Sequence, residues 1–133
     1  MTILLVDDHK PTRNAMRELI EEQPDMRVVA ESETGEDAVD RAREAQPDVV
    51  VMDILLPGMN GVEATRKICA EHPGSKVLAL SNHFGKSLVQ AILAAGGLGY
   101  VQKSSAFENL IPALRMVAAG EQYVTPDIAE RKP

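Results

Sequence analysis

Three aspartates, a serine and a lysine are the residues of this chain with the means to do chemistry. Asp7 and Asp8 are adjacent and end the apolar run Ile3-Leu4-Leu5-Val6; Asp53 ends Val49-Val50-Val51-Met52; Ser81 ends Val77-Leu78-Ala79-Leu80; Lys103 follows Tyr100-Val101-Gln102. Brought together, three carboxylates repel unless a cation lies among them. An all-oxygen set with few protein ligands suits Mg²⁺, which keeps several of its waters. Lys103 adds a second positive charge. One carboxylate flanked by two cations could attack an electrophile whose negative charge they neutralise, and a phosphoryl group fits, with Ser81 as hydrogen-bond donor to one of its oxygens. Singly, each residue has a commoner use: a turn aspartate bonding its own backbone, a helix-capping serine, a solvated lysine. Only their joint occurrence reverses that judgement.

Such a cluster needs elements that carry distant residues to one place. Short β-branched or aliphatic runs recur at Thr2 to Val6, Arg27 to Ala30, Val49 to Met52, Lys76 to Leu80 and Gly99 to Val101, bounded by Gly, Pro, Asp or Ser. Helical periodicity fills the gaps. Ala15, Met16, Leu19 and Ile20 share a face after Pro11; Ala38, Ala42 and Ala45 line a second helix; Val62, Thr65, Ile68 and Cys69 a third; Leu88, Val89, Ile92 and Leu93 a fourth. Thr34 with Asp37 and Asn60 with Glu63 have N-cap spacing. A fifth stripe of Phe107, Leu110, Ile111, Leu114, Val117 and Ala118 follows a capping box, Ser105 to Glu108, and ends at Gly120. Pro112 leaves two alternatives: a kink opposite the Glu108 carbonyl, or a regular helix that starts near Asn109. Strand and helix alternating five times predict an α/β fold, a doubly wound parallel sheet with helices on both faces. Every strand's carboxyl end then reaches one edge, where ligands bind.

Composition narrows the function. With 133 residues, 44% of them hydrophobic, one domain is the simplest reading. Trp is absent and Phe and Tyr number two each, so there is little to stack on nucleic-acid bases. The net charge of −6 opposes a grip on phosphate backbones by this chain alone. One cysteine, Cys69, excludes an internal disulfide and a Cys-based zinc site. No stretch approaches the length of a membrane span, and the N-terminus lacks the features of a signal peptide, so no membrane partner and a cytoplasmic location are expected.

Taken together, the motifs "VDDH", "VVVMDILLPGMNGVE", "LALSNH" and "GGLGYVQKS" resemble the receiver domain of a bacterial response regulator, over roughly residues 2 to 120. The resemblance implies a flavodoxin-like (βα)5 sandwich with a five-stranded parallel sheet in the order 2-1-3-4-5. It implies residues 1–120 as the receiver and 121–133 as a tail or the start of a connector. Asp53 would accept a phosphoryl group from the phosphohistidine of a sensor histidine kinase. Asp8, Asp53 and the Leu55 backbone carbonyl would bind Mg²⁺, with Asp7 acting through water. Lys103 would contact the phosphoryl group, Ser81 would be drawn to it, and Tyr100 would swing inward. That movement would change the surface of the fourth helix, fifth strand and fifth helix, where an output domain or partner protein docks.

The start "VDDH", "DILLPGMNGVEA" and the closing "ALRMVAAGEQYVTPDIAE" resemble the NarL/FixJ class most, which carries a LuxR-type helix-turn-helix domain after the receiver. DNA contact would come only through that further domain, and phosphorylation could drive homodimer formation. Some positions depart from the common pattern. Ser104 replaces a proline, Leu55 and His83 stand where relatives tune phosphoryl lifetime, and Pro112 falls in the output helix. A stand-alone receiver that acts by protein contact is an alternative. An aspartyl phosphohydrolase is disfavoured, because its second acid would fall at Leu55. His9 and His83 are ordinary turn histidines on this reading. Gly97-Leu98-Gly99 and Lys103-Ser104 lack the spacing of nucleotide loops.

Overall fold

The alternation of strand and helix is the architecture found in a computed structural model, which describes residues 1–56, 58–82 and 85–124. His83 and the tail read at Pro126 to Pro133 lie outside the described residues. The elements are β1 (Thr2–Val6), α1 (Lys10–Glu21), β2 (Arg27–Ser32), α2 (Gly35–Ala45), β3 (Val49–Asp53), α3 (Gly61–Glu71), β4 (Lys76–Ser81), α4 (Lys86–Ala94), β5 (Gly99–Gln102), α5 (Ala106–Ala118) and β6 (Tyr123–Val124). All strands pair in parallel, in the order β2-β1-β3-β4-β5-β6. The expected five-strand order is present and β6 extends it. Gly120 turns the chain at φ 84°, the Tyr123 N–H donates to the Leu98 carbonyl at 3.0 Å, and the Tyr123 hydroxyl reaches Asn109 Oδ1 at 3.2 Å. Part of the segment expected as a tail is thus an edge strand. Two residues are too few to show a period.

Strand alternation divides the core between the two faces of the sheet. Ile3 and Leu5 face α1 and α5 among Met16, Ile20, Leu110 and Leu114, whereas Leu4 and Val6 face α2 and α3 among Ala38, Ala42, Ala64 and Ile68. A third cluster, with Ile54, Ala79, Ile92 and Tyr100, lies beneath α4.

Two caps form as their spacing requires: Thr34 Oγ1 accepts from the Asp37 N–H at 3.1 Å, and Asn60 Oδ1 from the Glu63 N–H at 2.9 Å. The Ser105 capping box does not. A 3₁₀ turn, Lys103–Ser105, precedes α5, and Ser105 Oγ donates instead to the Gln102 carbonyl at 3.2 Å. That tight turn rotates the helix start, so Ala106 faces the core and Phe107, expected inside, is 66% exposed. Ala45 is likewise exposed at the end of α2. α5 starts before Asn109 and runs through Pro112, which lies on its exposed side, so the Glu108 carbonyl without an N–H donor is near solvent.

Candidate functional site

The carboxyl ends of β1, β3, β4 and β5 bring the five residues to one edge. Asp7 continues β1, with its N–H donating to the Ser32 carbonyl of β2 at 3.0 Å. Its Oδ1 accepts from the His9 N–H at 2.8 Å, a turn that fixes the side chain within a fully buried residue. Asp8, one residue on, is exposed. Asp53, the last residue of β3, is 5% exposed, and its Oδ1 accepts from the Leu55 N–H at 3.2 Å. Lys103 reaches in from the turn after β5. Its Nζ is 2.8 Å from Asp7 Oδ2 and 3.1 Å from Asp53 Oδ2. Carboxylate oxygens of Asp7, Asp8 and Asp53 lie within 4.8 Å of one another. Asp7 and Asp53, from two strand ends, share one ammonium, with the Asp8 carboxylate beside them on the solvent side.

The charges answer to that geometry. Burial raises the Asp53 pKa, and the Asp7 charge adds to the shift. Lys103 and the Leu55 N–H oppose it. Burial also works against the Lys103 ammonium, but its bond to Asp7 and the charge of Asp53 outweigh this and raise its pKa. Lys103 therefore stays charged at neutral pH. A cluster of oxygens this close, only partly neutralised by one lysine, is a hard donor set that suits a small divalent cation.

Ser81 ends β4 and Tyr100 lies in β5, both buried. The Tyr100 hydroxyl hydrogen-bonds Ser81, which restrains the upward pKa shift that burial gives the phenol. Tyr100 is already buried among Ile54, Ala79 and Ile92, so the inward position expected from a swing is occupied in this structure. Leu55 turns its side chain outward, 58% exposed. His9 Nδ1 lies 2.6 Å from Thr12 Oγ1, a local turn contact. Gly99 serves packing: a Cβ there would sit 2.4 Å from Leu78 Cδ1.

Two residues of the site escape a reading of the sequence. A Cβ on Gly61 would lie 2.5 Å from the Asp53 carbonyl oxygen and 2.7 Å from Ile54 Cα, and the Gly61 N–H donates to the Ile54 carbonyl at 2.9 Å. Only a glycine lets α3 start this close to the strand end that carries Asp53. The signal was present in Asn60-Gly61, where the asparagine alone attracts notice as a cap. Arg13, buried behind Asp7, has no signal, since one arginine on a helix is ordinarily solvated.

Residues 3–115 match the family model described as response regulator receiver domain. The chain belongs to this family. Among related receivers, it is 36% identical over 129 residues to the response regulator GacA of Pseudomonas viridiflava, covering 97% of this chain and 60% of that protein. It is 38% identical over 131 residues to the response regulator UvrY of Escherichia coli K12, covering 98% and 60% respectively. The chain therefore spans about 60% of the length of these curated relatives. A crystal structure of a two-component response regulator of the LuxR family from Aurantimonas sp. SI85-9A1 superposes with a TM-score of 0.93 at 41% identity, covering 97% of this chain and 92% of that one. Receivers of this family are signalling proteins rather than typical enzymes, and their acidic pocket binds Mg²⁺. Among the described residues, no helix is long and apolar enough to cross a membrane.

Proposed function

We propose that this receiver is phosphorylated on Asp53 by a sensor histidine kinase and passes the signal to a LuxR-type DNA-binding domain in the full-length protein. The observation that carries this reading is the position of Asp53, buried at a strand end with Lys103 on one oxygen and the Asp7–Asp8 pair beside it. A carboxylate oxygen of Asp53 attacks the phosphorus of a phosphohistidine, the P–N bond breaks, the imidazole leaves, and an acyl phosphate forms. Asp8, Asp53 and the Leu55 carbonyl would hold Mg²⁺, with Asp7 acting through water, and the ion would supply positive charge to offset that of the transferred group. Lys103 exchanges its carboxylate contact for a phosphoryl oxygen, and Ser81 turns to donate to another. Because Ser81 and Tyr100 share a hydrogen bond, the turn of Ser81 alters what holds Tyr100 inward and so changes the α4–β5–α5 surface.

On this reading the signalling unit runs from residue 1 through β6, and the residues after Val124 lead towards the output domain. The protein acts in the cytoplasm beside its kinase, and phosphorylation favours a homodimer. It is not an enzyme in the sense of turnover, since the exposed apolar Leu55 occupies the place of a hydrolase's second acid. Acetyl phosphate with Mg²⁺ should add one phosphoryl group by intact mass, and Asp53→Ala should abolish the addition. Labelling that survives the substitution, or repeated turnover of a phosphomonoester, would refute the proposal.

A further inference from the structure

The loop between β1 and α1 holds two adjacent carboxylates against their repulsion, and a buried cation stands directly behind it. Arg13, in the first turns of α1, is 6% exposed. Its Nη1 donates to the Asp7 carbonyl at 2.5 Å, its Nε to Glu31 Oε1 at 2.9 Å and its Nη2 to Glu33 Oε1 at 3.1 Å. Arg17 pairs with Glu31 from the next turn. Burying a guanidinium is unfavourable, and an apolar side chain of similar length would avoid the cost. What such a side chain lacks is a planar fork that fixes several acceptors at once.

The acceptor with a consequence for the site is the Asp7 carbonyl, because its peptide group leads directly into Asp8. Asp7 is held at its N–H by Ser32, at its carboxylate by His9 and Lys103, and at its carbonyl by Arg13. Of these contacts, the Arg13 bond is the one made to the Asp7–Asp8 peptide group itself, which leads into the exposed Asp8. Arg13 and Arg17 are balanced in charge by Glu31 and Glu33, so the network adds little net field at the cluster. Its effect there is geometric.

We propose that Arg13 is a positioning residue for the cation site, fixing the Asp7–Asp8 peptide so that the Asp8 carboxylate faces Asp53. The inference rests on the reading of Asp7, Asp8 and Asp53 as a Mg²⁺ site. Isothermal titration of the 133-residue chain with Mg²⁺ alone tests it. Arg13→Gln should weaken Mg²⁺ by about 10- to 100-fold, the usual effect of removing an outer partner of a metal ligand. Arg13→Lys, which can still donate to the Asp7 carbonyl but cannot bridge it to both glutamates, should recover part of that affinity. Arg115→Gln, which removes a cation paired with Asp25 outside this network, should leave Mg²⁺ affinity unchanged. Wild-type affinity in a folded Arg13→Gln chain would overturn the proposal. If circular dichroism shows that variant unfolded, Arg13→Lys decides: a lower Tm with wild-type Mg²⁺ affinity would assign Arg13 to stability alone and overturn it too. Failure of the wild type to bind Mg²⁺, or undiminished binding by Asp8→Ala, would remove the site reading itself. Binding lost in Asp8→Ala but kept in both Arg13 variants would remove only the positioning role.

Discussion

Replacing Lys103 with methionine, which keeps the apolar stem and removes the ammonium, isolates what that charge does for the acidic cluster. Its Nζ lies 2.8 Å from Asp7 Oδ2 and 3.1 Å from Asp53 Oδ2. At an effective dielectric constant of about 20, each contact carries a gross attraction of about 5–6 kcal/mol. Most of that is offset by desolvation, since the Asp7 side chain is 0% and the Lys103 side chain 19% exposed. Deleting one partner of a buried pair costs about 3–5 kcal/mol, because the remaining charges stay buried. Lys103 retains some solvent contact, which places the loss near the lower end, about 3 kcal/mol, or roughly a 10 °C fall in Tm for a chain of this size. Urea unfolding in EDTA measures it, with Lys67→Met, on the exposed side of α3, as the control. Mg²⁺ should then stabilise the variant more than the wild type, because the ion no longer competes with an ammonium for the same oxygens. A variant as stable as wild type in EDTA, or an equal gain from Mg²⁺ in both, would refute this account of the cluster.

Gly61→Ala should destabilise the fold by about 1–3 kcal/mol, because the added Cβ meets backbone atoms of Asp53 and Ile54 that cannot move aside independently. A higher urea midpoint, as helix propensity alone would give, would contradict that packing. Far from the site, the Arg115 hydrogen bond holds the Asp25 carboxyl below its ordinary value of 3.8. Folding thus favours the ionised form, and its stabilising contribution is present above 3.8 and lost as pH falls through the lower folded value. Urea midpoints measured from pH 5 to pH 2 should fall more steeply for the wild type than for Asp25→Asn; parallel curves would refute the assignment.

What could be read from the sequence was whatever a local pattern encodes. An aliphatic run that ends in Asp7 or Asp53 announces both the strand and the charge at its end. The caps at Thr34 and Asn60 need only contacts three residues apart. Where a non-local preference competes, the local pattern loses. Ser105 has cap spacing, yet the 3₁₀ turn that places Lys103 in the acidic cluster redirects its hydroxyl and turns Phe107 outward. Arg13 and Gly61 illustrate a different limit. Their roles depend on contacts with Asp7 and with Asp53, and no helical period marks a residue whose neighbour is the back of another loop.

The short strand β6 also bears on where the domain stops. Without Tyr123 and Val124, the outer hydrogen-bonding groups at Gly99 and Tyr100 would join an open sheet edge, the kind of surface that recruits strands from other chains. A cut at Gly120, where the last helix ends, would therefore leave every helix intact and still create an adhesive rim. The residues on either side of that rim are already coupled in register: Val124 stands opposite Tyr100 and packs into the same apolar cluster. Whatever segment continues from Val124 is thus tethered by backbone hydrogen bonds to the strand that carries the buried tyrosine, and a pull on either one is felt by the other.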